Sequence, residues 1–218
     1  MPGHPIRRLA RTVAALLAAA MAAAGCSSSG KAAPKTPSAK PVATYAQVTG
    51  TSSTLALDTT FVQAISSLQL TPGLIGSATL HIADLAFPIT GGRLTVYSAG
   101  HKPALTGELQ HAGSGLSFTG TGAKIALQDV VLHFGATSTL SGDVVVNGKT
   151  AFPAATLFDV DTTKFGAPTT KAGTTTIAGA AVFLDPAAAK KLDTALHSTT
   201  LEQAGKIRIG TLTVAATD

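Results

Sequence analysis

The feature that most constrains this chain is a series of short runs in which apolar and polar residues alternate. A two-residue period places one side of an extended strand against a core and the other side in solvent. Gly, Asn, Pro or Ser separates most of the runs, as turns require. The pattern predicts these strands: Thr54–Leu57, Ala78–Ile82, Gly92–Tyr97, Leu105–His111, Leu116–Gly120, Lys124–Phe134, Thr139–Val146, Ala155–Asp159, Thr174–Phe183 and Lys206–Ala215.

Regular short strands of this kind are typical of a mainly β fold. Asn147-Gly148 is a strong signal for a tight turn, because both residue types tolerate positive φ. We therefore predict an antiparallel β-sandwich or flattened barrel with two short helices.

Two segments have helical rather than alternating spacing. Asp58 precedes Phe61, Ile65 and Leu68, which is the arrangement of a capping residue followed by one apolar helix face. Asp185-Pro186 predicts the start of a second helix, because proline is tolerated at the first helical position. Leu192 and Leu196 lie on one face of this second helix.

The two predicted helices have similar surroundings. Leu55-Ala56-Leu57-Asp58 leads into the first, and Val182-Phe183-Leu184-Asp185 leads into the second. A strand containing glycine follows each helix, with Gly76 after the first and Gly210 after the second. Duplication of a strand–helix–strand unit is one explanation. The other, which we favour slightly, is two helices that close opposite ends of a sandwich.

The N-terminal 25 residues are typical of an export signal. Arg7, Arg8 and Arg11 precede an apolar stretch, Val13 to Ala24, that is shorter than the roughly 20 residues needed to span a bilayer. Small residues then lead to Cys26, the only cysteine in the chain. This junction resembles the lipobox of bacterial lipoproteins, which implies lipid attachment at Cys26 and a location at the cell membrane, on the extracytoplasmic face. The alternative is an ordinary signal peptide with Cys26 as a spare thiol.

The segment after the cysteine is rich in Ser, Pro, Ala and Lys and cannot form a core. We therefore divide the chain into a lipoprotein signal peptide (1–25), a lipidated cysteine with a flexible tether (26–45) and a β domain (46–218). The domain carries 10 basic and 11 acidic residues, although the whole chain has a net charge of +5. Without a basic surface the domain lacks what a nucleic-acid partner requires.

Several short motifs within 54–215 resemble a known family. They include Phe87 to Gly92, a Gly-Ser-Gly hairpin leading into Leu116–Gly120, Ile125 to Asp129 and Leu157 to Asp161. With the helix after Leu184-Asp185-Pro186, they resemble the HtaA-type domain of actinobacterial surface haem-uptake proteins. The resemblance implies a β-rich surface domain and, in the family, a Tyr on the first helix that ligates haem, partnered by a His in a turn.

The residues at the matching positions cannot ligate haem in this way. The first predicted helix contains Phe61-Val62-Gln63-Ala64-Ile65, without Tyr, and the matching turn, Gly120–Lys124, contains no His. A haem iron needs a lone-pair donor at its axial position. We therefore predict no cofactor, and the resemblance supports the fold and the surface location rather than haem.

Other candidate ligands are sparse. Tyr97 and His101 flank one loop and could converge on a ligand, although a strand-ending Tyr and a solvated His are the simpler interpretation. His133 alternates with Leu132 and Phe134 and is expected to be a solvated or hydrogen-bonded strand histidine. No two histidines have a spacing typical of a metal site, so no metal residues are assigned.

Enzyme motifs are also incomplete. Gly113-Ser114-Gly115 is not the Gly-x-Ser-x-Gly of a nucleophile elbow. Asp159 and Asp161 are more simply a polar turn than half of a calcium site. We assign no catalytic residue and predict that the protein is not an enzyme.

Two hypotheses on function follow. The first is a membrane-anchored binding module for an apolar ligand of the cell envelope. The second is a structural or protein-interaction lipoprotein, or a haem-binding surface protein with non-standard ligands. The partners expected are the bilayer, through the acyl anchor, and an apolar ligand or envelope protein. An internal apolar pocket of ligand size, on the order of several hundred Å³, would favour the first hypothesis.

Overall fold

The computed structural model describes residues 40–98 and 100–218. The predicted signal peptide, Cys26 and most of the predicted tether lie outside the described residues. The strands are β1 Ala43–Tyr45, β2 Gly50–Leu57, β3 Thr71–Gly76, β4 Thr79–His81, β5 Asp84–Pro88, β6 Gly91–Val96, β7 Leu105–Thr119, β8 Lys124–Phe134, β9 Ser138–Val146, β10 Lys149–Asp161, β11 Thr169–Lys171, β12 Thr174–Leu184 and β13 Arg208–Thr217. The helices are α1 Thr59–Ser67, α2 Pro186–Leu196 and α3 Thr200–Gln203.

All strands belong to one curled antiparallel sheet, so the prediction of a mainly β, antiparallel fold is confirmed. The strand order is β1-β6-β7-β8-β9-β10-β12-β13-β2-β5-β4, with β3 paired to β7 and β11 paired to β12. Curling places one face of the sheet around a common apolar core. Leu94, Leu109, Leu132 and Val214 are among its fully buried side chains.

The sheet order places α1 and α2 at the same end of the molecule. Strand β13 lies between β2 and β12 and is antiparallel to both, so β2 and β12 run in the same direction. Each continues into a helix, β2 into α1 and β12 into α2. The expectation that the helices close opposite ends of a sandwich is therefore wrong, because the strands that lead into them end on the same side.

Both predicted helix starts are confirmed by their caps. The Asp58 carboxylate accepts a hydrogen bond from the Thr60 amide at 2.9 Å, and the Asp185 carboxylate accepts one from Ala188 at 2.8 Å. These bonds satisfy amides that have no partner within the helix. Proline follows Asp185 at the first helical position, as expected.

Strand β7 differs from the sequence-based prediction. The runs Leu105–His111 and Leu116–Gly120, predicted as two strands joined by a Gly-Ser-Gly hairpin, form one strand interrupted by a bulge. The pairing with β8 skips from His111 to Gly115, and the Gly113 amide donates to the Asp129 carboxylate at 2.8 Å. The glycines therefore serve a bulge, which alternation alone does not distinguish from a turn.

Residues 43–45, predicted as the end of the tether, form strand β1 of the described domain. Strand β1 pairs with β6, and the Tyr45 hydroxyl, which is buried, lies 2.6 Å from the Thr175 hydroxyl. Ala43 pairs with Val96, and Val96 pairs with Leu105 at the start of β7. Strand β1 therefore lies near the strand ends that are far from the helices.

Helix α3 was not predicted, and a buried carboxylate holds it. The side chain of Asp193, on α2, accepts hydrogen bonds from the amides of Leu201 and Glu202 at 3.2 and 2.8 Å. A negative group at a helix start satisfies the free amides there. This contact fixes the short helix against α2.

Candidate functional site

An apolar cavity lies between the inner face of the sheet and the helices. The twenty residues that line it are all Leu, Ile, Val or Phe. Phe61, Ile65 and Leu68 contribute from α1 and its C-terminal end, and Leu192 and Leu196 from α2. The volume of this cavity is about 70 Å³. A space lined only by apolar side chains is suited to hydrocarbon groups and not to water.

A second cavity, with a volume of about 130 Å³, lies beside the first. Five side chains line both cavities: Leu57, Phe61, Ile65, Leu116 and Phe118. The second cavity continues outward between α1 and strands β3, β4 and β5, where Leu74, Leu80 and Leu85 form its walls. Rotation of the shared side chains would join the two spaces.

Helix α1 covers these cavities without being buried itself. None of its residues is buried, and Val62 is about half exposed. Its N-terminus is held by Asp58, whose carboxylate also accepts a hydrogen bond from the Arg208 guanidinium at 2.7 Å. The pKa of Asp58 is lowered by the hydrogen bonds from Thr60 and then by the one from Arg208. The start of α1 is therefore fixed, while its body rests on the cavities through few side chains.

Helix α2 is held more firmly. Ala188, Ala189 and Asp193 are buried, and Asp193 ties α2 to α3. Of the two helices that cover the cavities, α1 is the one with less packing to resist movement.

The lining of the two cavities contains no axial ligand for a haem iron. Within the described residues, neither cavity is lined by Tyr, His, Met or Cys, and Ser66 is the one lining residue with a side-chain oxygen. The turn Gly120–Lys124 is closed by a hydrogen bond from the Gly120 amide to the Ala123 carbonyl at 2.9 Å. The lining is thus apolar and offers nothing that coordinates iron.

Tyr97 and His101 come together, but away from these cavities. Their rings stack with centroids 4.4 Å apart, and both line a groove of about 290 Å³ with Thr162 and Phe165. The groove lies beyond the end of β6, at the end of the sheet opposite α1. His101 Nδ1 lies 2.8 Å from the Pro103 carbonyl oxygen, so this nitrogen carries a proton and donates it there.

The remaining histidines are dispersed. His133 Nε2 lies 3.0 Å from the Ser141 hydroxyl, which confirms the prediction of a hydrogen-bonded strand histidine. His81 is exposed on β4, and His197 ends α2 in a left-handed conformation. Across residues 40–98 and 100–218, no three His, Cys, Asp or Glu side chains cluster as metal ligands would.

His111 is a buried titratable residue that the sequence analysis did not single out. It is 1% exposed, with Nε2 at 2.9 Å from the Ser53 hydroxyl and Nδ1 at 3.1 Å from the Val130 carbonyl oxygen. Burial lowers its pKa to about 4, against a smaller opposite effect of the Val130 hydrogen bond. Its position at the end of an alternating run was the available signal, because inward-facing positions of a strand are buried whatever their residue type.

The acidic and glycine motifs have structural roles. The Asp161 carboxylate accepts hydrogen bonds from the Thr163 hydroxyl and amide, and these lower the pKa of Asp161. Ser114 is fully buried in the β7 bulge, with its hydroxyl 3.0 Å from that of Ser77. Asp161 thus caps the turn Thr162–Lys164, as predicted, whereas Asp159 lies within β10, where it pairs with Phe183 of β12.

No helix in the described part of the chain is both long and apolar enough to cross a membrane. A search of protein-family models found no match to the chain, and a search of curated proteins found no significant sequence match.

A comparison with solved structures found two similar proteins. The C-terminal domain of HtaA from Corynebacterium glutamicum is 15% identical, with a TM-score of 0.53, and the match covers 78% of this chain and 98% of that domain. The heme binding protein HtaB from the same organism is 10% identical, with a TM-score of 0.46, and the match covers 78% of this chain and 94% of that protein. The match to the HtaA domain shows a shared fold, as the sequence motifs suggested.

Proposed function

We propose that this protein is an exported, lipid-anchored binding protein that holds a hydrocarbon chain between α1 and the sheet. The observation that carries the proposal is the lining of the first cavity by twenty aliphatic and phenylalanine residues. Natural cores are packed with few voids, so apolar spaces under a lightly packed helix indicate room for a guest.

The dimensions favour a narrow ligand. Sites for drug-sized molecules measure about 300–1,000 Å³, whereas the two cavities measure about 70 and 130 Å³. An engineered apolar cavity of roughly 150 Å³ binds a molecule as small as benzene. A linear acyl chain could occupy two small adjacent spaces once rotation of the shared side chains joins them, whereas a planar macrocycle would need the helices to move apart.

Haem is the alternative ligand, because it is the one implied by the family that the sequence motifs resemble. The chemistry of this chain argues against that alternative, because the apolar cavities lack an iron ligand and Tyr97 and His101 lie elsewhere. A structural role without a ligand would be favoured if the cavities were filled by side-chain movement in solution.

The ligand can be tested by narrowing the space that both cavities share. Leu116 is half-buried and lines both, so Leu116→Trp should fill them without displacing a fully buried core residue. Excluding two methylene groups costs about 1.6 kcal/mol, which predicts a loss of affinity for a fluorescent polyene fatty acid of roughly tenfold or more. Native mass spectrometry of the purified protein should show a bound lipid that this variant lacks.

The matched control is Val42→Trp, because Val42 is exposed and lines neither cavity. Equal affinity in wild type and Leu116→Trp would contradict the proposal. A sharp haem spectrum that disappears in Tyr97→Ala would replace it with a haem site at the Tyr97–His101 groove.

The proposed lipid anchor is at Cys26, and the basis of this proposal is the signal-like sequence that precedes this residue. Removal of the thiol should prevent thioether formation, so Cys26→Ser is expected to give uncleaved precursor or soluble protein in place of membrane-bound protein. Metabolic labelling with a fatty acid measures this directly. Label that persists in Cys26→Ser would show that the acyl group, if any, is elsewhere.

A further inference from the structure

The segment from Thr59 to Ala83 contains no Asp, Glu, Lys or Arg, although 12% of the chain is charged. It comprises α1, β3 and β4, and it is largely exposed, with Leu70 and Ala78 its only buried residues. An exposed stretch of 25 residues without charge is unusual, because charged residues are the commonest way to keep a protein surface soluble.

This segment also carries most of the exposed large apolar side chains. Val62, Leu74, Leu80 and Ile82 are exposed, and the one other such residue in the described part of the chain is Val42. Val62, Leu74 and Leu80 line the second cavity. We refer to these four residues, Val62, Leu74, Leu80 and Ile82, as the apolar rim.

Ile82 is unfavourable in its position on two grounds. It is 91% exposed, and its φ is 60°, a left-handed conformation that β-branched residues rarely adopt. It is the first residue of the two-residue turn between β4 and β5, where Gly, Asn or Asp is preferred. Neither packing within the domain nor backbone conformation accounts for isoleucine here, which points to a contact outside the domain.

We propose that the apolar rim rests on the surface of a lipid bilayer and that acyl chains enter the second cavity there. This inference depends on the proposed function, because it assigns the entry point of the same ligand. The rim would contact the boundary between headgroups and acyl chains, where apolar side chains are buried and charged ones are excluded.

Two polar side chains of α1 have their hydroxyl donors satisfied within the helix. The Ser66 hydroxyl donates to the Val62 carbonyl at 2.9 Å, and the Ser67 hydroxyl donates to the Ala64 carbonyl at 2.8 Å. Both hydroxyl protons are already bonded within the helix, so moving them out of water costs little. A surface that binds a protein partner usually has charged or hydrogen-bonding groups around its edge. Helix α1 carries no charged residue.

The length of the N-terminal segment is sufficient for the rim to reach the membrane that holds the anchor. The chain enters the sheet at Ala43, beside the start of β7, and the cavities lie near Leu116. The eleven residues of β7 between these points span about 37 Å. The 17 residues from Cys26 to Ala43 span up to about 58 Å when extended.

The chain contains no Trp, so a single Trp reports on its own surroundings. Protein purified from the membrane fraction of producing cells is combined with vesicles of phosphatidylcholine and phosphatidylglycerol, with or without bromine on the acyl chains. Emission from Ile82→Trp should move to shorter wavelength and be quenched several-fold by the brominated lipid. Val42→Trp, the matched control at the other end of the sheet, should show neither change.

A second pair of variants removes the contact rather than reporting on it. In Leu80→Trp, quenching by brominated lipid should fall several-fold when Ile82→Asn is added. The free energy of unfolding should stay the same or rise, because Asn tolerates positive φ. This result would exclude misfolding as the cause of lost quenching.

Absence of quenching at residue 82, or equal quenching at residues 42 and 82, would overturn the proposal. So would emission from Ile82→Trp that is shielded without lipid and depends on protein concentration, because a second copy of the chain would then cover the rim. Fatty-acid affinity of Leu116→Trp is measured separately, so docking and ligand binding can each fail alone.

Discussion

Replacing Gly92 by alanine should destabilise the domain by more than about 3 kcal/mol, a large part of the stability of a domain this size. Gly92 lies on β6 with φ at 121°, and a Cβ atom there would lie 2.2 Å from the Glu108 carbonyl oxygen on β7. The clash is with backbone, so no side-chain rotation relieves it, and the conformation is strained for any residue with a Cβ.

The matched control is its neighbour. A Cβ on Gly91 would lie 3.4 Å from the end of the Gln110 side chain, and the φ of Gly91 is not positive. Gly91→Ala should therefore change the free energy of unfolding by less than about 0.5 kcal/mol. Urea unfolding of both variants measures the difference. Similar midpoints would mean that β6 and β7 approach less closely at Gly92 than described.

The second large effect is a loss of stability in mild acid that depends on His111. Burial holds the pKa of His111 at about 4 in the folded protein, below its ordinary value of 6.5. Between pH 6.5 and 4 the unfolded chain takes up a proton that the folded chain does not, so stability falls as the pH is lowered. The full difference corresponds to about 3 kcal/mol, complete near pH 4 and absent above about pH 6.5.

Urea unfolding between pH 7 and pH 4.5 measures this dependence. The range avoids most of the contribution of Asp58 and Asp161, whose pKa values are lowered from 3.8. His111→Gln should be less stable at pH 7 because it disturbs the pair with Ser53, and its stability should vary little with pH. His81→Gln, at an exposed position on β4, should keep the wild-type profile. A wild-type profile in His111→Gln would show that other groups cause the acid sensitivity.

The local structure was predictable where one physical signal dominated. Strand β8 has the predicted bounds, Lys124–Phe134, because both of its halves alternate, although the alternation changes phase at Asp129, where φ is positive. The starts of α1 and α2 were predictable because an aspartate precedes each apolar helix face. At Asn147-Gly148 both residues adopt positive φ, as the turn signal requires.

Long-range features were not predictable in the same way. Strands β1 and β3 are short, and each pairs with a segment distant in the sequence, β1 with β6 and β3 with β7. The bulge at Gly113 depends on the side chain of Asp129 across the sheet. The position of both helices at one end follows from β13 lying between β2 and β12, which no local pattern contains.

The place of the candidate site was not predictable from the sequence. An apolar ligand was one hypothesis and stays a prediction, and the family's haem ligands are missing at Phe61–Ile65 and Gly120–Lys124. Which residues line the space depends on β7 and β2 meeting under α1, with Leu57 and Leu116 on its wall. The uncharged segment 59–83 was visible in the sequence, but its meaning depends on knowing that it is exposed.

The position of β13 sets the order in which the fold can be completed. Strand β13 follows all of its neighbours in the sequence, yet it lies inside the sheet. Val214 and Ala216, which it carries, are fully buried. Synthesis proceeds from the N-terminus, so β2 and β12 have no partner between them until the final segment is available. Pairings between the two ends of a chain also form slowly. The sheet therefore stays open between β2 and β12 until β13 has been made, which is compatible with the export proposed above, because a chain crosses a membrane before it has folded.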